Sequence, residues 1–228
     1  MTAAEVGNQF DCEFFQGASG FLGAMGSAFL HEMTEEQISA LAAVDFASLA
    51  DEGAGDAFGR LSRYLRRRGP NARQDLAVDY ARVFLAAGIY DGDTAVPYES
   101  VFTSSEGILM QDARDQTLAC YRAWGMEVDP SLQMPEDHLG FQLEFAAFLC
   151  RSVGDALACG DDERACEAAE ALASFIDAHL LNWLPQLQAR VEEFAQLAFY
   201  PALVAVSIEY LGLLKDACAQ LIAGIEGQ

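Results

Sequence analysis

The chain predicts an all-α fold, a helical bundle of eight to ten helices, and three observations carry that expectation. Apolar residues recur at spacings of three and four through most of the sequence. Helix-opening tetrads such as Thr34-Glu35-Glu36-Gln37 stand before these runs, and glycine or proline follows them. Strand signals are sparse: Val101-Phe102-Thr103 has the residue types, but no nearby segment offers a pairing partner.

The elements follow in order. Glycines at 17, 20, 23 and 26 line one side of a first helix, where a neighbour can approach closely. Each costs about 1 kcal/mol of helix propensity relative to alanine, so this helix is expected to be the least stable. A nucleotide-binding loop would need a preceding strand and a different spacing. Thr34 to Gln37 forms a capping box. Arg66-Arg67-Arg68 ends a helix, where positive charge meets the negative end of the dipole. Asn71-Ala72-Arg73-Gln74 repeats the capping pattern and opens a helix with Leu76, Tyr80, Val83 and Phe84 on one face, expected to stop near Gly88. A helix over about Gln111–Trp124 closes on Gly125 in the left-handed conformation. Pro130 and Pro135 mark a loop before a helix starting at about Glu136. Asp161 caps a run from Asp162 to about Leu181. The remainder, Leu184 to about Ile225, reads as two helices separated near Phe199-Tyr200-Pro201. Residues 1–228 read as a single domain without internal repeats.

Composition narrows the function. Hydrophobic residues make up 52% of the 228, enough for a sizeable core, and 35 acidic side chains face 13 basic ones for a formal charge of −22. That field repels phosphate backbones and anionic lipid, so nucleic acid and membrane surfaces are poor partners, whereas a cationic peptide is attracted. The six cysteines contain no CxxC pair and no zinc-site spacing, which points to buried free thiols in a reducing compartment. No export signal or membrane span is expected, and a cytoplasmic location follows.

Two segments carry candidate chemistry. Asp137-His138 precedes an apolar helix, and positions 138, 141, 145 and 148 step along one stripe, so His138 ends a row of three phenylalanines. The ordinary reading makes Glu136 and Asp137 dipole-favouring residues and His138 a first-turn residue. The functional reading has an acid beside an aromatic surface, suited to holding an arginine and an adjacent apolar side chain. Pro97-Tyr98-Glu99-Ser100 follows the acidic turn Tyr90-Asp91-Gly92-Asp93-Thr94 and presents Tyr98 beside a groove, or else folds it onto the core. At His179 to Pro185, a helix end pinned by Trp183 is expected. No HExxH, GxSxG or P-loop spacing occurs. The alternative is a small metal-dependent hydrolase centred on Asp137/His138, with Glu144 and His179 as the remaining ligand candidates; otherwise no cofactor or catalytic residue is expected.

The order of elements resembles a known family. Tyr80-Ala81-Arg82-Val83-Phe84, then Val96-Pro97-Tyr98-Glu99-Ser100-Val101-Phe102, Pro135-Glu136-Asp137-His138-Leu139-Gly140, His179-Leu180-x-x-Trp183 and Phe199-Tyr200 are similar to the TorD/DmsD family over about residues 70–212. The resemblance implies an all-helical, non-enzymatic cytoplasmic chaperone, a monomer or domain-swapped dimer. It would bind the twin-arginine signal peptide, and in some members the apo form, of a molybdopterin-dependent oxidoreductase of the dimethyl-sulfoxide-reductase type. It would assist cofactor insertion before export. The implied peptide surface maps to Tyr80, Val83, Phe84, Pro97, Tyr98, Asp137 and His138. Glu99 adds an acid where the family often has a small residue, and Tyr98 stands where it often has tryptophan. Guanine-nucleotide binding, proposed for some members, finds no phosphate-cradling motif here.

Overall fold

A computed structural model describes residues 10–46, 56–85 and 94–227, and among these are ten α-helices and no named strand. They are α1 (Cys12–Leu30), α2 (Glu35–Ala43), α3 (Asp56–Arg67), α4 (Ala72–Phe84) and α5 (Glu99–Thr103). Then come α6 (Asp112–Ala123), α7 (Leu139–Cys159), α8 (Asp162–Ile176), α9 (Leu184–Phe194) and α10 (Phe199–Glu226). The all-α expectation is met.

Local chemistry explains most boundaries. Asp11 caps α1 by accepting from the Phe14 amide, and the capping box at α2 is complete: Thr34 accepts from the Gln37 amide while Gln37 accepts from that of Thr34. Asp161 caps α8 through the Arg164 amide, and Gly125, at φ 71°, closes the turn after α6. Arg66 and Arg67 occupy the last turn of α3 as expected. Three expectations need correction. Asn71 makes no side-chain cap, and α4 ends at Phe84; Gly88, like the Tyr90–Asp93 turn, lies outside the described residues. The helix after Pro135 begins at Leu139, with His138 as its N-cap rather than a first-turn residue. Val101-Phe102-Thr103 is helical, within α5.

The long helices α7 and α10 organise the interior. α7 packs against α1 and α8, and α10 packs against α3, α8 and α9. Their apolar residues join one cluster with Phe15, Phe29, Phe58, Trp183 and Tyr200. Helices α1 and α7 approach closely at Gly26 and Gly140, where a Cβ on either would lie 2.9 Å from the other's carbonyl oxygen. The other three glycines of the stripe face open space, so the packing argument holds for Gly26 alone. All six cysteines are free thiols; Cys150 and Cys218 are buried as expected, whereas Cys159 is exposed. Among the described residues, no helix is long and apolar enough to cross a membrane.

Candidate functional site

The loop that precedes α5 is stitched to the start of α7. Ala95 donates to the Val83 carbonyl at the end of α4 (2.8 Å), Leu139 donates to the Pro97 carbonyl (2.8 Å), and Glu99 donates to the Asp137 carbonyl (3.1 Å). Tyr98 and His138 thereby form an isolated antiparallel bridge, their rings 4.8 Å apart and edge to face. One locus thus gathers Val83 and Phe84 from α4, Pro97 to Glu99, and Asp137 and His138. Tyr80 joins it through its ring contact with Phe84 at 5.4 Å.

Most of these side chains are turned inward. Asp137 is 0% exposed, Val83 0%, Phe84 2%, Glu99 2%, His138 3% and Tyr80 4%, and Pro97 is buried too; Tyr98 alone of the eight is partly exposed. The expected row of exposed rings is also internal, since Phe141 and Phe145 are buried and only Phe148 retains some exposure. The helix is apolar on so much of its circumference that its aromatic stripe packs against neighbours, with Phe145 meeting both Tyr121 (4.8 Å) and Phe175 (4.7 Å).

Asp137 and His138 do not act on one another. One Asp137 oxygen, Oδ2, accepts from the Ser100 amide at 2.8 Å and so caps α5, whose own N-cap residue Tyr98 supplies no side-chain acceptor. The other, Oδ1, is buried and has no hydrogen-bond donor among the described residues. Burial pushes the Asp137 carboxyl above the ordinary carboxylate range, against the hydrogen bonds to Ser100. His138 Nδ1 accepts from the Gly140 amide at 3.0 Å, and burial, with His31 nearby, holds the imidazole neutral by lowering its pKa to about 3. Neighbouring Glu136 is engaged by Arg114 in a two-pronged ion pair, and its carbonyl accepts from the Tyr121 hydroxyl.

Glu99 faces away from the solvent, into a polar cluster. Oε2 accepts from Gln142 Nε2 (2.6 Å) and lies 3.2 Å from His179 Nδ1, while Oε1 accepts from Asn182 (3.0 Å). His179 sits in a π-helical turn, Asp177–Leu181, that ends α8, and Trp183 pins that turn by donating to the His179 carbonyl at 2.8 Å. Among the described residues, no group of three or more His, Cys, Asp or Glu is arranged to hold a metal ion. Asp137, His138, Glu144 and His179 are therefore not gathered as a ligand set.

Outside the loop lies an apolar groove whose residues are not among the candidates named from the sequence. A cavity of about 820 Å³ is lined by Val96, Val101, Phe102, Ile108, Leu109 and Arg190, among others. Ile108, Leu109 and Met110 are 48%, 40% and 56% exposed, and Met110 holds a left-handed φ of 64°. Three consecutive apolar residues between Gly107 and the polar Gln111-Asp112 pair were the legible signal.

The loop bridged onto a helix end and the flanking apolar groove make up the candidate site of this helical scaffold. Comparison with known proteins identifies the family. A family model described as "Nitrate reductase delta subunit" matches residues 47–189. "Chaperone protein TorD" of Vibrio cholerae strain O395 is 30% identical over 214 residues, covering 87% of this chain and 90% of that protein. The proteins of the same name from Vibrio vulnificus strain YJ016 (25% over 201 residues, 84% and 90% covered) and Actinobacillus succinogenes (28% over 181 residues, 76% and 83%) are also similar. The chain belongs to the TorD family of chaperones, a non-enzymatic family.

Proposed function

We propose that this chain is a cytoplasmic, system-specific chaperone that binds the twin-arginine signal peptide, together with the apo form, of a molybdopterin-dependent oxidoreductase of the dimethyl-sulfoxide-reductase type. In doing so it assists maturation before export. The observation that carries this reading is Asp137 Oδ1: a buried carboxylate oxygen with no donor among the described residues, close to the partly exposed Tyr98. A buried acceptor without a donor is costly, and a guanidinium is the donor best matched to a carboxylate.

The mechanism follows from these positions. When the Tyr98 ring swings off His138, the peptide's arginine reaches Oδ1 while Oδ2 keeps its bond to Ser100. The apolar part of the signal segment lies along the groove of Val96, Phe102, Ile108 and Leu109. Tyr80, Val83, Phe84, Pro97 and His138 act beneath, fixing the height and tilt of the loop. Glu99 anchors the far side of that loop rather than touching the peptide. The overall charge of −22 accelerates the encounter with a cationic leader.

Calorimetry with the twin-arginine leader peptide of a dimethyl-sulfoxide-reductase-type enzyme from the same organism tests the reading. Asp137→Asn preserves an oxygen for the Ser100 amide but removes the charge, and binding should weaken by about 2 kcal/mol, the scale of a hydrogen bond to a charged group. Tyr98→Ala should weaken it by a similar amount as loss of an aromatic anchor. Unchanged affinity in both folded variants would sink the site.

A further inference from the structure

Glu99, His179 and Cys120 stand in a line across one imidazole ring. Nδ1 of His179 is 3.2 Å from Glu99 Oε2, and Nε2, on the opposite edge, is 3.8 Å from the Cys120 sulfur. The three come from different elements: α5, the π-turn after α8, and α6. Glu99 is immobilised by Gln142 and Asn182, and Thr117 lies 3.4 Å from the same ring nitrogen. The Phe175 ring lies against the imidazole, 5.1 Å between centroids. The cluster is buried at Glu99 and His179 and opens at Cys120, which is partly exposed. This is the order of a nucleophile, a base and a group that orients the base. Because thiol and carboxylate meet opposite edges of the ring, they do not converge on a common metal position.

The electrostatics reinforce the geometry. Burial opposes charge on His179, but the hydrogen bonds to Cys120 and Glu99 outweigh it and raise its pKa to about 9. An imidazolium against a sulfur stabilises the thiolate. Tyr121, kept neutral by burial, lies near Cys120 and is itself close to the carboxylates Asp137, Glu99 and Glu144. Three of the other thiols, Cys150, Cys166 and Cys218, are pushed up by burial.

We propose that Cys120 is a modification site: a thiolate paired with His179, oriented through Glu99, whose natural co-reactant is hydrogen peroxide. The sulfur attacks one peroxide oxygen, an S–O bond forms and the O–O bond breaks. The sulfur is oxidised by two electrons to the sulfenic acid. The departing hydroxide takes the Nε2 proton of His179, leaving water and a neutral imidazole.

Site-resolved alkylation of the full chain provides the test. The reduced protein is treated with limiting iodoacetamide from pH 5 to 9, and each of the six cysteines is quantified by peptide mass spectrometry. At pH 6 Cys120, beside His179, should react about tenfold faster than exposed Cys159. His179→Gln should abolish that advantage. Hydrogen peroxide added with a cyclic 1,3-diketone should tag Cys120 as the sulfenic-acid adduct. Wild-type protein alone decides the matter even if the variant does not fold: Cys120 reacting no faster than Cys159 at pH 6 overturns the activated thiol. Early alkylation without diketone tagging overturns the peroxide step.

Discussion

Tyr98 and His138 lock two separate segments together through a single antiparallel bridge, with their rings 4.8 Å apart at 81°. The bridge places the Ser100 amide over the Asp137 carboxylate, so the short helix α5 is capped by a residue 37 positions away in sequence. Removing that carboxylate should therefore act on stability as well as on binding. Asp137→Ala should cost about 1–2 kcal/mol, the usual scale for a lost helix cap. Asp137→Asn, which retains the acceptor, should fall well short of that in chemical denaturation. An equal loss in both would mean that the charge, not the cap, holds the junction.

The contacts of buried His179 with Cys120 and Glu99 set a pH signature. The folded-state pKa of His179, about 9, lies above its unfolded value of about 6.5. The stabilisation is therefore fully present below about pH 6.5 and is lost as pH rises through about 9. Urea midpoints measured across that interval should fall with rising pH, and Glu99→Gln should flatten the slope. A slope unaffected by Glu99→Gln would assign the pH dependence to other groups.

The architecture was legible because its signals are local. The Thr34–Gln37 box, the Asp161 cap, Gly125 and the Trp183 anchor each depend on residues within a few positions, and each is found where the sequence places it. The candidate residues named from the sequence are brought together, since the loop at Pro97 and the helix entry at Asp137 do meet. Their orientation was not, because it depends on partners far away in sequence. Glu99 turns inward to reach Gln142, His179 and Asn182, and nothing near Glu99 announces them. Asp79 is similar: its buried carboxylate accepts from the amides of Gln196 and Leu197, well over a hundred positions later. The phenylalanine stripe misled for a different reason. Periodicity gives a face, but on a helix packed on several sides it does not say which face meets water.

The glycine stripe of α1 separates two effects that sequence spacing merges. Gly20 is exposed, and a Cβ added there would meet nothing within 4 Å, so Gly20→Ala should stabilise by about 0.5–1 kcal/mol through helix propensity. Gly26→Ala places its new carbon 2.9 Å from the Gly140 carbonyl oxygen, a backbone atom that yields only if α1 and α7 move apart. It should destabilise by about 1–3 kcal/mol, the range for overpacking. Opposite signs for the two variants in thermal unfolding would show that one glycine of the stripe is a packing requirement; matching signs would show that it is not.

The exposed Ile108-Leu109-Met110 knuckle gives a prediction that isolates binding from folding. Nearly half of Ile108 is in water, so it contributes little to the core, and Ile108→Ser should change stability by less than about 0.5 kcal/mol. The same side chain lines the groove beside Val101 and Phe102, where an apolar signal segment would cover it. Covering an isoleucine contributes about 1.5–3 kcal/mol when burial is complete. A residue already half shielded should forfeit about 1 kcal/mol of peptide affinity when replaced. The loss should fall on the dissociation rate, because apolar contacts form after encounter, whereas added salt should slow association by screening the acidic surface. Stopped-flow measurements at two ionic strengths separate the two contributions. An Ile108→Ser variant that dissociates no faster than the wild type would move the apolar part of the peptide off this groove.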